Sequence, residues 1–170
     1  MRKLPHTFRG LRGTIMVGLA VGACMVASGC GPSAVEFNNK FVLAQKRIVE
    51  AYKPAGPALA KQPQDFKAAR EALDNSKKMV EAARAEMPTW KVPTSQSAKN
   101  LYEGFEKYLK SHEEYVAQVH KFIDALEKKN VDPKSLAKMG TDIDAAEQNS
   151  ISQIQNLQKA FSNEHHITLK

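Results

Sequence analysis

His112 is the residue with the widest chemical scope in this chain. It falls in line with Leu101, Phe105, Tyr108, Tyr115 and Val119 at spacings of three and four, so a helix carries it on an apolar face. A buried neutral imidazole is either a hydrogen-bonded core group or a ligand for a metal or haem iron. Ligation needs partners, and the nearest in type are Met79, Met139 and His120. His120 falls off the stripe that holds His112. A di-iron bundle needs inward glutamates and Glu-x-x-His pairs on facing helices, whereas Glu113 and Glu114 follow His112. The expected role is a bonded core histidine. Metal or haem binding through His112 is the alternative, and no cofactor is expected. Glu164-His165-His166 has metal-binding residue types, but near the chain end its simpler role is solvation. Tyr108 and Tyr115 share the inward face, so their hydroxyls need partners; Ser76, Ser150 and Gln153 are the candidates. No Ser-His-Asp spacing, glycine-rich phosphate loop or paired acidic motif stands out. The expected activity is non-enzymatic.

The two cysteines, Cys24 and Cys30, lie at the end of a patterned segment. Arg2, Lys3, Arg9 and Arg12 come first, with no acid among residues 1–29. An apolar run over 14–27 follows, then Ser28-Gly29-Cys30. Charge, apolar stretch and small residues, in that order, form the export-signal pattern. A cysteine directly after the small residues resembles the lipobox of bacterial lipoproteins, with Ala27 at the place usually held by Leu. The resemblance implies cleavage between Gly29 and Cys30 and acylation of the Cys30 thiol. It covers the signal and not the domain that follows. Val21-Gly22-Ala23-Cys24 is a poorer fit, because Cys24 lies inside the apolar run, whereas Gly31-Pro32 after Cys30 breaks a helix. An uncleaved membrane span is the competing reading, but the 17 residues 14–30 stand at the short end of spanning lengths. With Cys24 removed and Cys30 acylated, no thiol remains for a disulfide, a zinc site or nucleophilic attack.

That segment also changes the meaning of the net charge of +7. Removing its four basic residues from 25 leaves 21 against 18 acids, a balance of +3. The remaining Lys and Arg are interspersed with Glu and Asp, as on a solvated face. A nucleic-acid partner, which needs a clustered basic face, is not expected. With 42% hydrophobic and 25% charged residues, the body has the composition of a folded domain.

Four amphipathic helices must position these residues. Ser33 and Glu36 fit a capping box, followed by Phe37, Phe41, Ala44 or Gln45, Ile48 and Tyr52 on one face. Residues 54–63, with three prolines and a glycine, read as a loop. The second helix covers about 64–86 and carries Phe66, Ala69, Leu73, Ser76, Val80, Ala83 and Met87. Pro88 stops it, and a loop with Trp90 and Lys91 follows. Ser95 or Ser97 caps the third, whose stripe runs from Ala98 through His112 to Leu126 and is widened by Tyr102, Leu109, Val116 and Ile123. Asp132 and Pro133 start the fourth. Its face is Leu136, Met139, Ile143, Ala146, Ser150, Ile154, Leu157 and Phe161, with a kink or restart at 140–142. Nothing alternates with period two over any length. The expected fold is all-α, an up-down-up-down four-helix bundle with helices three and four longest. The expected divisions are a signal peptide at 1–29, a lipidated tether at 30–33, the bundle at 34–163 and a frayed tail at 164–170.

Only Gly31 and Pro32 separate Cys30 from the cap at Ser33, and three residues span at most about 10 Å. The bundle end that holds the start of helix one is therefore expected at the headgroups, with Trp90 and Lys91 membrane-proximal. Trp90 either sits among lipid headgroups or plugs the open end of the core. The expected location is the cell envelope, lipid-anchored through Cys30. Gly31 in place of Asp favours the periplasmic face of the outer membrane in a Gram-negative host. An envelope protein partner is expected, with the Gln- and Asn-rich face of helix four as a possible contact surface.

Overall fold

The computed structural model describes residues 32–128 and 131–168. The segment 1–29 and the Gly29–Cys30 junction lie outside the described residues. Five helices are present: α1 (Pro32–Tyr52), α2 (Ala55–Ala60), α3 (Phe66–Glu86), α4 (Gln96–Glu127) and α5 (Pro133–Glu164). A 3-10 turn, Met87–Thr89, follows α3. The described residues contain no strand.

The long helices form where apolar residues recur every three or four positions and polar residues hold the ends. Asp65 accepts a hydrogen bond from the Ala68 N–H at 3.0 Å, and Asp132 from the Ser135 N–H at 3.0 Å. Of the two candidate caps for α4, Ser95 is the one used, accepting from the Ala98 N–H at 3.2 Å. Each of these side chains satisfies an amide with no partner inside its helix. At the start of α1 the helix begins at Pro32, and Glu36 pairs with Lys40 at 3.0 Å.

Antiparallel packing is fixed by cross-helix pairs. Arg70, early in α3, reaches Asp124 and Glu127 at the end of α4, each at 2.7 Å. Arg84, near the end of α3, meets Glu113 in the middle of α4 at 2.8 Å. Phe37 at the start of α1 meets Phe161 at the end of α5, with ring centroids 5.4 Å apart. The up-down-up-down bundle is therefore made by α1, α3, α4 and α5. The longest helices are α4 and α5, the third and fourth of that bundle, with 32 residues each, or roughly 48 Å at 1.5 Å per residue.

Three local expectations are corrected. The stretch 54–63 is not wholly a loop, because Ala55–Ala60 is helical and buries Ala55, Gly56, Ala58 and Leu59. Pro54 and Pro57 cost little, since Pro54 is the N-cap and Pro57 sits in the first turn, where an amide hydrogen has no helical acceptor. The α5 helix passes through 140–142 without restarting. Gly140 is buried there, and the Thr141 hydroxyl donates to the Ala137 carbonyl at 3.0 Å. The tail is docked and not frayed through its described part, 164–168. His166 adopts a left-handed backbone with φ 53°. The Ile167 N–H then returns to the Ser162 carbonyl at 2.8 Å, and the His166 N–H to that of Asn163 at 3.4 Å. This pair of bonds is the Schellman closure of a helix end. It turns Ile167 into the core, 9% exposed.

Candidate functional site

The aromatic residues of α4 stand in a column along the bundle axis. Trp90 stacks on Phe105 at 5.6 Å, Phe105 on Tyr108 at 5.9 Å, and His112 follows at 6.3 Å from Tyr108. Tyr115 completes it, 5.6 Å from His112. The spacing 105, 108, 112, 115 keeps one helix face turned inward. At the His112 level the column stops being apolar. Tyr52 from α1 lies against both His112 and Tyr115, at 5.0 and 5.8 Å. Its hydroxyl donates to Glu147 Oε1 of α5 at 2.9 Å.

Together Tyr52, Tyr108, Ser111, His112, Tyr115, Glu147, Ser150 and Ile151 enclose a recess of about 10 Å³, the room needed by one water-sized group. Tyr108, Ser111 and Ser150 also line a groove of about 410 Å³ between α4 and α5. Further along the groove are Asn100, Glu103, Gly104, Lys107, Gln153, Ile154, Asn156 and Leu157. Gly104 faces α5 closely, and a β-carbon there would occupy the space of the Leu157 side chain.

Burial sets the charge state of the recess. It pushes the Glu147 carboxyl up, against the lowering effect of the Tyr52 hydrogen bond, and the neighbouring Asp144 charge adds to the rise. Asp144 is itself raised by burial. Burial raises Tyr52, Tyr108 and Tyr115, reinforced in each case by Glu147. The same cause lowers His112 from 6.5 to about 4, so the imidazole is neutral at pH 7. Two polar atoms in this region are buried without a protein partner, the Tyr115 hydroxyl and Asp144 Oδ1.

His112 is a bonded core histidine. Its Nε2 lies 3.1 Å from Ser76 Oγ. The Ser76 hydroxyl donates to the Leu73 carbonyl at 2.8 Å. The one hydroxyl hydrogen is used there, so the Nε2–H of His112 donates to Ser76 and leaves Nδ1 without a hydrogen. This is the reverse of a serine activated by a histidine base, and Ser76 is 0% exposed. His120 is not brought to His112. It sits on the outer seam with Asp74 at 3.2 Å and Arg70 at 3.4 Å. Met79 and Met139 are half-buried at the core edge. Among the described residues no three His, Cys, Asp or Glu gather as metal ligands.

Trp90 takes the plug position. It is 6% exposed, stacked on Phe105 and edge-on to Phe37 and Tyr102 at 6.1 and 6.4 Å. Lys91 is exposed beside it. The acylation residue Cys30 and its neighbour Gly29 lie outside the described residues. His165 packs on Phe161 at 4.5 Å and bonds Ser95 through Nε2 at 2.8 Å, so it is a docking residue.

Sequence reasoning missed Glu147, Asp144 and the inward role of the Tyr52 hydroxyl. Helical spacing places Ala146 on the inward face of α5, but Ala146 is exposed and Glu147 turns inward instead. The only signal was the acid one position later, which periodicity alone assigns to solvent. Ser76, a candidate partner for a tyrosine hydroxyl by its place on the inward face, bonds His112 instead.

Comparison with protein-family models, curated proteins and solved structures gives no match. No helix among the described residues is long and apolar enough to cross a membrane. The functional reading therefore rests on the residues of this chain.

Proposed function

We propose that this chain is a non-catalytic, lipid-anchored protein of the bacterial cell envelope that works by binding or scaffolding at a membrane surface. The observation that carries this reading is the order of residues before Cys30: four basic residues, an apolar run and small residues up to Gly29. Acyl chains on the cysteine thiol and on the new amino group give stable anchoring, where a single chain gives marginal binding. The bundle's geometry fits such an anchor. Helix α1 starts at Pro32, leaving no long linker, and the turn after α3 and the end of α5 share its end of the bundle. Lys91 is exposed there and suits anionic headgroups, while Trp90 closes the core behind it. The exposed residues Gln148, Asn149, Gln153, Gln155 and Asn156 of α5 suit an envelope protein partner, and Gly31 favours the outer membrane of a Gram-negative host. The histidine–serine pair, in which the serine is fully buried and its hydroxyl faces the Leu73 carbonyl, supports binding over catalysis.

Cys30→Ser tests the anchor directly. The parent chain is expected in the membrane fraction with acylated Cys30 at its N-terminus by mass spectrometry. The variant is expected to lose acylation and to remain a precursor. Membrane association of an unacylated, full-length parent chain would overturn the reading. Haem or metal binding through His112 is the weaker alternative, because Nε2 is engaged with Ser76 and the ring is enclosed. A Soret band in protein purified from haem-replete cells would revive it.

A further inference from the structure

We propose that the recess between α1, α4 and α5 receives the terminal ammonium of a primary aliphatic amine, with Glu147 as its counter-charge and the α4–α5 groove holding the alkyl chain. Four observations converge on this ligand. Glu147 lines the recess, Asp144 lies one turn before it on α5, and among the described residues no lysine or arginine lines the recess; the charged group acting on Glu147 is another acid. A cation is therefore the missing complement. Tyr115 lines the recess and is 4% exposed, and its buried hydroxyl has no protein partner, which leaves an acceptor for an N–H. Tyr52, Tyr108 and Tyr115 supply aromatic walls, which attract cations. Size then selects among cations. About 10 Å³ takes a group as small as a water, such as –NH3⁺, and excludes a quaternary ammonium or a guanidinium.

The groove defines the remainder of the ligand. Ser111 and Ser150 form the sill between recess and groove. Beyond them Asn100, Gln153 and Asn156 give uncharged hydrogen-bonding groups, and Ile154 and Leu157 give apolar floor. Glu103 offers a second carboxylate further along, and Lys107, one helical turn from both Glu103 and Ser111, lines the same groove. At about 410 Å³ the groove is in the range of small-molecule sites. A short linear primary amine matches this order of carboxylate and narrow polar and apolar channel; the second ammonium of a diamine would meet both Glu103 and Lys107, so the ammonium at Glu147 carries the recognition.

The test uses the full-length chain purified in mild detergent and titrated with butane-1,4-diamine by calorimetry. The uncharged isostere butane-1,4-diol serves as control. Saturable binding of the diamine at one per chain is expected, with no saturable heat from the diol. Glu147→Gln, which still accepts from Tyr52, should weaken binding at least tenfold. Ser150→Leu, which blocks the sill, should abolish it with the helical circular dichroism intact. Tyr115→Phe should weaken it several-fold. The proposal fails if the diamine gives no saturable heat at millimolar concentration, if the diol binds equally well, or if folded Glu147→Gln and Ser150→Leu proteins bind like the parent. Binding is read on detergent-solubilised protein, so this result stands apart from the outcome at Cys30.

Discussion

Near the start of α1, Phe37, Phe41, Trp90, Phe105 and Phe161 meet edge to face or stacked, with neighbouring centroids 5.0 to 6.1 Å apart. Further along the same column, Tyr52, Tyr108, His112 and Tyr115 meet at similar distances, and every ring carries a polar atom. Ring packing is alike in the two regions, but their energetics differ. Each fully buried phenylalanine contributes roughly 1.5–3 kcal/mol by leaving water. In the polar region the Tyr115 hydroxyl and Asp144 Oδ1 are buried without partners, and each such group costs about 1–3 kcal/mol. The first region holds the bundle together. The second gives up stability for polar groups in a confined space, as sites that meet a ligand do.

Four measurements bear on that contrast. The largest effect is expected from Phe105→Ala in the apolar region, which should lower unfolding free energy in urea by about 3–5 kcal/mol through lost burial and a cavity. A loss under about 1 kcal/mol would show that this end is not the stabilising one.

Next is the pH dependence of the polar region. The folded His112 titrates near 4 against an ordinary 6.5. The unfolded chain therefore takes up this proton first. Stability from the neutral ring is complete above about 6.5 and is lost as pH falls toward 4, by up to about 3 kcal/mol. Glu147 and Asp144 have raised values and act in the opposite sense: their contribution is present at low pH and is lost as pH rises through those values. The His112 effect is thus best read as a difference. Stability of the parent minus that of His112→Gln should shrink steadily from pH 7 to pH 4.5. A flat difference would mean that His112 is not held neutral by burial.

Two tyrosine variants sharpen the comparison within the polar region. Tyr52→Phe removes the donor to Glu147 and should destabilise by about 1–3 kcal/mol at pH 7. Tyr115→Phe removes a hydroxyl that has no partner and should leave stability unchanged or raise it by about 1 kcal/mol. Equal losses from the two would refute the assigned hydrogen bonds. The smallest effect is expected outside the core. Arg84→Ala breaks a two-pronged contact with Glu113 at 2.8 and 3.1 Å, yet both side chains are substantially exposed, so thermal melts should register less than about 1 kcal/mol.

The apolar region was legible in the sequence because it obeys a single rule. Phe37, Phe41, Phe105 and Phe161 recur at helical spacing and have no alternative to burial. His112 was legible for the same reason, since its neighbours on the stripe determine its surroundings. The α2 helix was not, because its six residues contain a proline and a glycine and it is held by burial against α3, which no local pattern reports. Glu147 was hidden more deeply. Choosing between Ala146 and Glu147 for the inward face needs knowledge of Tyr52, 95 positions earlier in the chain. The site was therefore half visible: the aromatic and histidine half follows from periodicity, and the carboxylate half follows from tertiary pairing.

The closure at the end of α5 has a practical side. Ile167 belongs to the hydrophobic interior, and His165 hooks the residue that begins α4. Trimming the polypeptide after Asn163 would strip a wedge from beneath the aromatic cluster, and a purification handle joined there would have to leave through that same seam. Fusions at this terminus call for a spacer that starts beyond Lys170.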